Sequence, residues 1–304
     1  FAPPAAPRPA TDYWLNLRFL LAGETAWAPA GYEVAWAQFP LAVKVPPAPR
    51  RRIKTMPALR VEDSAAAVTV AGDHFQITLD KPQGRLTDWM HEGACVLAAG
   101  PRMNLWRAPI DNDMHIKNEW RAKWLHRLRH RTDAVEVRER ATSLVQIAVR
   151  TRVAPPVFAF AYRCEYLYTI YGDGDVVLDW HGVPEGEWCK CIPRIGLRLE
   201  LPGRLDRAAW YGRGPGESYS DSRQANRLGL HRATVDDMLT PYVRPQECGN
   251  RTDVRWVALT DLRGHGLLAV GRPTLNFSAL RYAPEDLDEA RHTCDLKPRD
   301  RVIL

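Results

Sequence analysis

The sequence predicts an all-β protein built as a large antiparallel sandwich or barrel. Three observations carry this. From Arg60 onward most of the 304 residues read as short runs of alternating apolar and polar residues between Gly, Pro and Asp turns. Only one stretch, Lys117–His130, has a helical stripe. Neither (β/α) alternation nor a repeat of fixed period is present, which excludes a parallel-sheet fold and a solenoid.

In chain order, residues 1–12 are rich in Pro and Ala and read as an extended or disordered lead-in. Tyr13, Leu15, Leu17, Phe19 and Leu21 then share one face of a strand, and Tyr32–Leu41 gives a second strand rich in aromatics. Two strands are not stable alone in water, so they read as the last hairpin of a sandwich whose other strands lie outside this sequence. Val45–Arg52 is the clearest linker, stiffened by three prolines and closed by a solvated arginine triplet. Strands follow at Val68–Val70, Phe75–Leu79 and Leu86–Trp89, with a turn at Pro82–Gly84. Leu144–Thr151 and Phe158–Ile170 come next, and the Gly172–Asp175 turn leads into Val176–Trp180. Ile192–Leu201 is another strand, and Val254–Leu259 and Leu267–Gly271 flank the Arg263–Gly266 turn.

The helical stretch sets Trp120, Trp124, Leu125 and Leu128 on one face and Lys117, Arg121, Lys123, Arg127, Arg129 and Arg131 on the other. A basic amphipathic helix suits a membrane surface or a nucleic acid. One short helix beside so many strands is read instead as packing on a sheet.

Composition narrows the classes further. Hydrophobic content of 45% with 26% charged residues reads as a soluble globular protein, and no apolar run nears the roughly 20 residues of a membrane span. The start, FAPPAAPRPATD, lacks the pattern of a secretory signal; without an initiator Met the native start and the compartment stay open. The net charge of +6 comes mainly from arginines interleaved with acids along the whole chain, which is not the footprint of a nucleic-acid binder. Of six cysteines only Cys189 and Cys191 are close. On a strand they would share a face, and with no second pair they read as free thiols rather than a zinc site or a disulfide.

The stretch Trp210–Trp256 holds the densest chemistry. Gly212, Gly214, Pro215 and Gly216 read as a tight turn, followed by Glu217, Tyr219, Asp221 and Arg223, then by Glu247, Arg251, Asp253 and Arg255. Carboxylates and guanidiniums among aromatics suit a sugar, and equally a structural network of buried ion pairs. Asp111, Asn112 and Asp113 read as a turn cap before a cation site, since three consecutive residues do not all turn toward one ion.

Three motifs, RAPIDND at Arg107–Asp113, YGRGPGESYSD at Tyr211–Asp221 and TPYVRPQECGNRTDVRW at Thr240–Trp256, resemble the C-terminal part of the large bacterial β-galactosidases of glycoside hydrolase family 2. ARHTCDL at Ala290–Leu296 resembles the family's near-terminal segment, and Tyr13–Leu41 looks like the end of its preceding immunoglobulin-like domain. The resemblance implies three parts. Residues 1–45 would be the C-terminal remnant of an immunoglobulin-like β-sandwich, 46–59 a Pro/Arg-rich linker, and 60–304 a C-terminally incomplete supersandwich similar to galactose mutarotase.

The activity it implies is hydrolysis of terminal β-galactosides with retention, which needs two carboxyl groups about 5 Å apart. The family carries both glutamates in a TIM barrel upstream of every residue here, and a sugar-stacking tryptophan beyond Leu304. No catalytic residue is therefore expected in this chain, and no cofactor: the family's magnesium and sodium sites belong to the barrel. By resemblance, Asp113, Met114, His115, Ile116, Lys117, Asn118 and Glu119 match a mobile loop near the substrate. Arg107, Asp111, Asn112, Glu217, Tyr219, Asp221, Arg223, Glu247, Arg251 and Asp253 match structural or sugar-facing positions. The implied partners are galactose or a β-galactoside within the intact enzyme, the barrel, and further copies in a homo-oligomer, with neither nucleic acid nor membrane. The compartment implied is the cytoplasm, with the periplasm as alternative. The other reading is a free-standing carbohydrate-binding or mutarotase-like module, which needs a His and a carboxylate converging on a sugar; His181, His231, His265 and His292, with Glu217 or Glu247, are its candidates.

Overall fold

Apolar alternation becomes burial alternation. In the computed structural model, which describes residues 6–49 and 52–304, Phe75, Ile77 and Leu79 point inward while Gln76 points out. The first five residues of the predicted lead-in, and Arg50 and Arg51 of the linker triplet, lie outside the described residues.

Two compact units result, 1–52 and 53–304. The first pairs β1 (Trp14–Leu20) with β2 (Glu33–Pro40) as an antiparallel hairpin. Leu17, Phe19 and Phe39 stay exposed on it, as a lone hairpin must leave them.

The second unit has four antiparallel sheets among its described residues. A five-stranded meander joins β3 (Arg60–Asp63), β4 (Ala67–Ala71), β5 (Phe75–Asp80), β6 (Arg85–His91) and β7 (Ala94–Leu97). A second meander joins β9 (Arg129–Ala141), β10 (Leu144–Ala154), β11 (Ala161–Tyr171) and β12 (Val176–Glu185), while β8 (Ala99–Asn104) belongs elsewhere. It pairs with β13 (Gly196–Pro202), which also pairs with β18 (Arg301–Ile303). The last sheet has the order β15-β14-β16-β17, from β14 (Arg207–Gly214), β15 (Arg227–Thr234), β16 (Arg251–Thr260) and β17 (Gly266–Phe277). Every sheet of this unit feeds one core, with Val70 and Leu79, Ile147 and Tyr168, Leu201 and Val302, and Trp210 and Leu259 all buried in it. Each such side chain contributes roughly 1.5–3 kcal/mol through burial.

The all-β expectation is met, and several elements differ in detail. The helix expected over Lys117–His130 stops at Ala122: α1 is Lys117–Ala122, and Trp124 lies in the left-handed region at φ +56°. The reversal frees Arg129 onward to pair with β10, and the apolar stripe is divided between contacts. Trp120 packs edge-on against Trp106, Trp124 packs edge-on against Phe158, and Leu125 is fully buried. Arg121, Lys123 and Arg127 of the basic face are occupied locally. Arg121 pairs with Asp288 of a second short helix, α2 (Pro284–Glu289), and Lys123 and Arg127 stack on Phe160 and Trp124.

Gly212 and Gly214 are in strand β14 and not in a turn. Gly212 is required there by close approach: a Cβ would sit 2.6 Å from Val254 Cγ2 and 2.8 Å from its Cα on β16. Cys189 and Cys191 stand on an irregular segment after β12, one buried and one exposed, with the Cys189 thiol donating to the Cys191 carbonyl. They do not share a strand face. β11 begins at Ala161, since Phe158 and Phe160 turn into the aromatic cluster around Trp188.

Candidate functional site

The three motifs meet in space. β14 ends at Gly214 and the chain enters the segment Glu217–Tyr219, which lies along the residues preceding β16. Ser218 ties the two together: its N–H donates to the Asn250 carbonyl (2.7 Å), its carbonyl accepts from Asn250 Nδ2 (2.7 Å), and its hydroxyl lies 2.9 Å from Thr252 Oγ1 and accepts from Thr252 N–H (3.0 Å).

Glu217 is saturated by donors of the third motif. One carboxylate oxygen accepts from Thr240 Oγ1 at 2.7 Å and from the Gly249 N–H at 2.9 Å, and the other accepts from the Tyr242 hydroxyl. Gly249 allows this with φ +78°, its Cα facing the Met238 carbonyl so closely that a Cβ would lie 2.9 Å from that oxygen.

Glu247 is buried, with 7% of its surface exposed, as is Asp113. Its N–H donates to the Ala108 carbonyl inside the first motif, and its carboxylate faces Arg194 at 3.4 Å. Burial raises its pKa above the usual carboxylate range, opposed by Arg194 and Arg107 and reinforced by Glu217. The Tyr219 hydroxyl is buried nearby and is likewise pushed upward, by burial first and then by Glu247 and Glu217.

Arg107 anchors the loop root. It grips both oxygens of buried Asp113 (2.7 and 2.9 Å), donates through Nε to the Pro193 carbonyl, and lies over the Trp120 ring. Asp113 also accepts from the Ile110 N–H at 2.8 Å, which is the capping role expected of the acidic triplet. Asp111 reaches Gln246, its N–H 3.3 Å from Oε1. Beyond the root, Asn112, Met114, His115 and Asn118 are exposed, while Ile116, Lys117 and Glu119 are half-buried.

The expected ion-pair network among Glu217, Arg223, Glu247, Arg251 and Asp253 is only partly present. Arg223 pairs with Asp253, which also holds Arg213 at 2.6 Å. Arg251 instead stacks on Trp210 (5.3 Å) and donates to the Gly249 carbonyl, and burial lowers its pKa. Glu217 takes neutral donors and Glu247 takes Arg194. The reason is register: β16 turns Arg251 toward the core and Asp253 outward at φ +54°. Asp221 is exposed on the loop.

Arg194, Thr240, Ser218 and Asn250 were not singled out by the sequence. The last three lie inside the motifs or at their edge, so motif membership was their signal; Arg194 sits in CIPRIG, where nothing marked it. Of the candidate histidines, none hydrogen-bonds Glu217 or Glu247 among the described residues, and the His231 ring packs on Trp210 at 5.4 Å. No group of three His, Cys, Asp or Glu side chains suited to a metal occurs among the described residues.

Residues 71–304 match the family model described as Beta galactosidase small chain, and residues 2–42 match Beta-galactosidase, domain 4. The chain belongs to the beta-galactosidase small-chain family. Three relatives among curated proteins are each named Beta-galactosidase. That of Priestia megaterium is 36% identical over 299 residues, covering 96% of this chain and 28% of the relative. That of Vibrio vulnificus strain CMCP6 is 31% identical, covering 98% and 29%, and that of Arthrobacter sp. strain B7 is 31% identical, covering 82% and 25%. The chain thus spans between a quarter and a third of the length of these relatives. The small-chain match takes in all three motifs and every site residue named above.

Proposed function

We propose that this chain is a non-catalytic, C-terminal region of a β-galactosidase that hydrolyses terminal β-D-galactosides with retention, and that it shapes the wall of an active site formed elsewhere in the protein. Residues 1–45 then form the remnant of an immunoglobulin-like domain, 46–59 a linker, and 60–304 a supersandwich resembling galactose mutarotase. The observation that carries the reading is the root of the 111–119 loop. Arg107 and Asp113 are locked together, while Met114 and His115 project from them into solvent. A rigid base under an exposed tip suits a segment that contacts substrate held by a neighbouring domain.

Retaining hydrolysis requires one carboxylate free to attack and a second to give and take a proton. Glu217 does not fit the first role, because three donors occupy its oxygens. Glu247 does not fit it either, because its carboxylate is buried and faces Arg194. Both therefore act as braces: Glu217 ties the second motif to the third, and Glu247 ties the third to the first through its N–H on the Ala108 carbonyl and to Arg194 through its carboxylate. Homo-oligomer contacts and a cytoplasmic setting belong to the same proposal; no helix among the described residues is long and apolar enough to cross a membrane.

The purified chain should release no nitrophenol from nitrophenyl β-galactoside. In an intact enzyme carrying these residues, Asp113→Asn should raise KM or lower kcat while leaving the fold intact. Turnover by the chain alone, abolished by Glu217→Gln or Glu247→Gln, would overturn the reading.

A further inference from the structure

Three sheets of the second unit meet at one corner, and their basic side chains outnumber the carboxylates that reach them. The turn before β6 lies against β9, with Thr132 Oγ1 donating to the Pro82 carbonyl at 2.9 Å and a Cβ on Gly84 falling 2.5 Å from the same oxygen. β6 in turn lies against β8, where a Cβ on Gly100 would be 2.7 Å from the Leu86 carbonyl. Arg85 therefore opens β6 beside that contact, His130 lies on β9 two residues before Thr132, and Arg102 lies on β8 two residues after Gly100.

Neighbouring charges leave this corner electropositive. Arg102 faces Arg198 across the β8–β13 ladder. The nearby carboxylates are already held: Arg198 takes Glu285 at 2.8 Å and Glu200 at 3.5 Å, and Arg299 takes both oxygens of Asp286. Among the described residues Arg85 donates to Gln83 only, and Arg198 keeps a buried Nε with no acceptor. Arg102, half-buried, has no hydrogen-bond or ion-pair partner among the described residues; the cations Arg85 and Arg198 act on it more strongly than the carboxylates Glu200 and Glu285, and His130 lies near the two cations Arg85 and Arg102. Half-burying a guanidinium beside like charges without an acceptor is costly, and an anion relieves both the desolvation and the repulsion.

We propose that the corner formed by Arg85, Arg102 and His130 binds one small oxyanion, a phosphate or a carboxylate. The planar fork of Arg102 offers two parallel donors to such a group, and His130 adds a third once it takes up a proton. The occupant is either free phosphate or a carboxylate side chain of another segment, and the two present the same oxygens.

Inorganic phosphate and, separately, acetate would be titrated into the full 304-residue chain in chloride buffer at about pH 6.5, with heat and the ring resonances of labelled histidine as readouts. One phosphate per chain is expected, with a shift at His130 and not at exposed His265. Arg102→Gln should weaken binding by about tenfold or more, and Arg102→Lys by less, since it keeps charge and loses the fork. Phosphate binding without acetate binding supports a free phosphate; binding of both supports a docked carboxylate. No His130 shift with either anion, or binding unchanged in Arg102→Gln, overturns the proposal. The wild-type His130 readout stands even if a variant fails to fold.

Discussion

Glu217 accepts the backbone N–H of Gly249 at 2.9 Å, so a side chain of the second motif closes a turn of the third. The same carboxylate also takes the hydroxyls of Thr240 and Tyr242. Glu217→Ala would leave these donors unpaired in a half-buried setting, at an expected cost of about 2–4 kcal/mol. Glu217→Gln should cost less, as it keeps an acceptor oxygen for the Gly249 N–H. Urea unfolding of the three proteins decides this: a loss below about 1 kcal/mol for the alanine variant would show that Glu217 is not the clasp between the motifs.

A second prediction concerns the backbone beneath that clasp. A methyl group at Gly212 would meet Val254 at 2.6 Å and the β16 backbone at 2.8 Å, so β14 and β16 must separate to admit it. Gly212→Ala should therefore destabilise by about 2 kcal/mol or more. Gly196 is the control: it is also in a strand, nothing lies within 4 Å of its Cβ position, and its φ is not positive. Gly196→Ala should be neutral or mildly stabilising through the unfolded chain. Equal thermal melting of the two variants would refute the close-approach argument.

Those two positions also show what sequence alone reveals. Period-two alternation made β4, β5, β10 and β11 legible, because their inward residues are Val, Ile, Leu and Tyr. In β14 the inward residues are Ala208, Trp210, Gly212 and Gly214, so half of the pattern is glycine and reads as a turn. β9 was hidden for a different reason. It is an edge strand rich in Arg and Glu, which suits solvent and masks its apolar side, and a helical stripe ran into its start. At the site, Arg107, Asp113, Glu217 and Glu247 were visible as motif members. Their partners were not: Arg194 meets Glu247 across 53 residues of sequence, and no local pattern encodes such a contact.

Glu247 gives a pH signature. Burial raises its folded pKa above the unfolded carboxylate value of about 4.3, so the native state binds more protons than the unfolded state in the window between them. Its contribution is fully present below the unfolded pKa and is lost as pH rises through the folded one. Relative to Glu247→Gln, the wild-type chain should therefore lose stability as pH rises above the unfolded value. Unfolding free energies of both proteins at several pH values measure this difference. A difference that stays constant over the window would mean that Glu247 is ionised in the fold without penalty.

His130 carries the opposite sign. Burial, with Arg102 and Arg85 beside it, pushes its pKa down to about 4, below the ordinary value near 6.5. The unfolded chain then takes up a proton that the folded chain refuses. Stability is fully present above pH 6.5 and is lost as pH falls toward 4, by roughly 3 kcal/mol at the low end in the absence of a bound anion. His126 and His231 are also lowered by burial and add to the same slope, so the wild-type curve alone does not isolate one residue. The difference between wild type and His130→Gln does. It should shrink steadily from pH 7 to pH 4.5 in chloride, because the glutamine variant has no proton to exclude. Direct titration of the labelled His130 ring provides the second check, and a midpoint near 6.5 would place the imidazole in open contact with water and sink the argument.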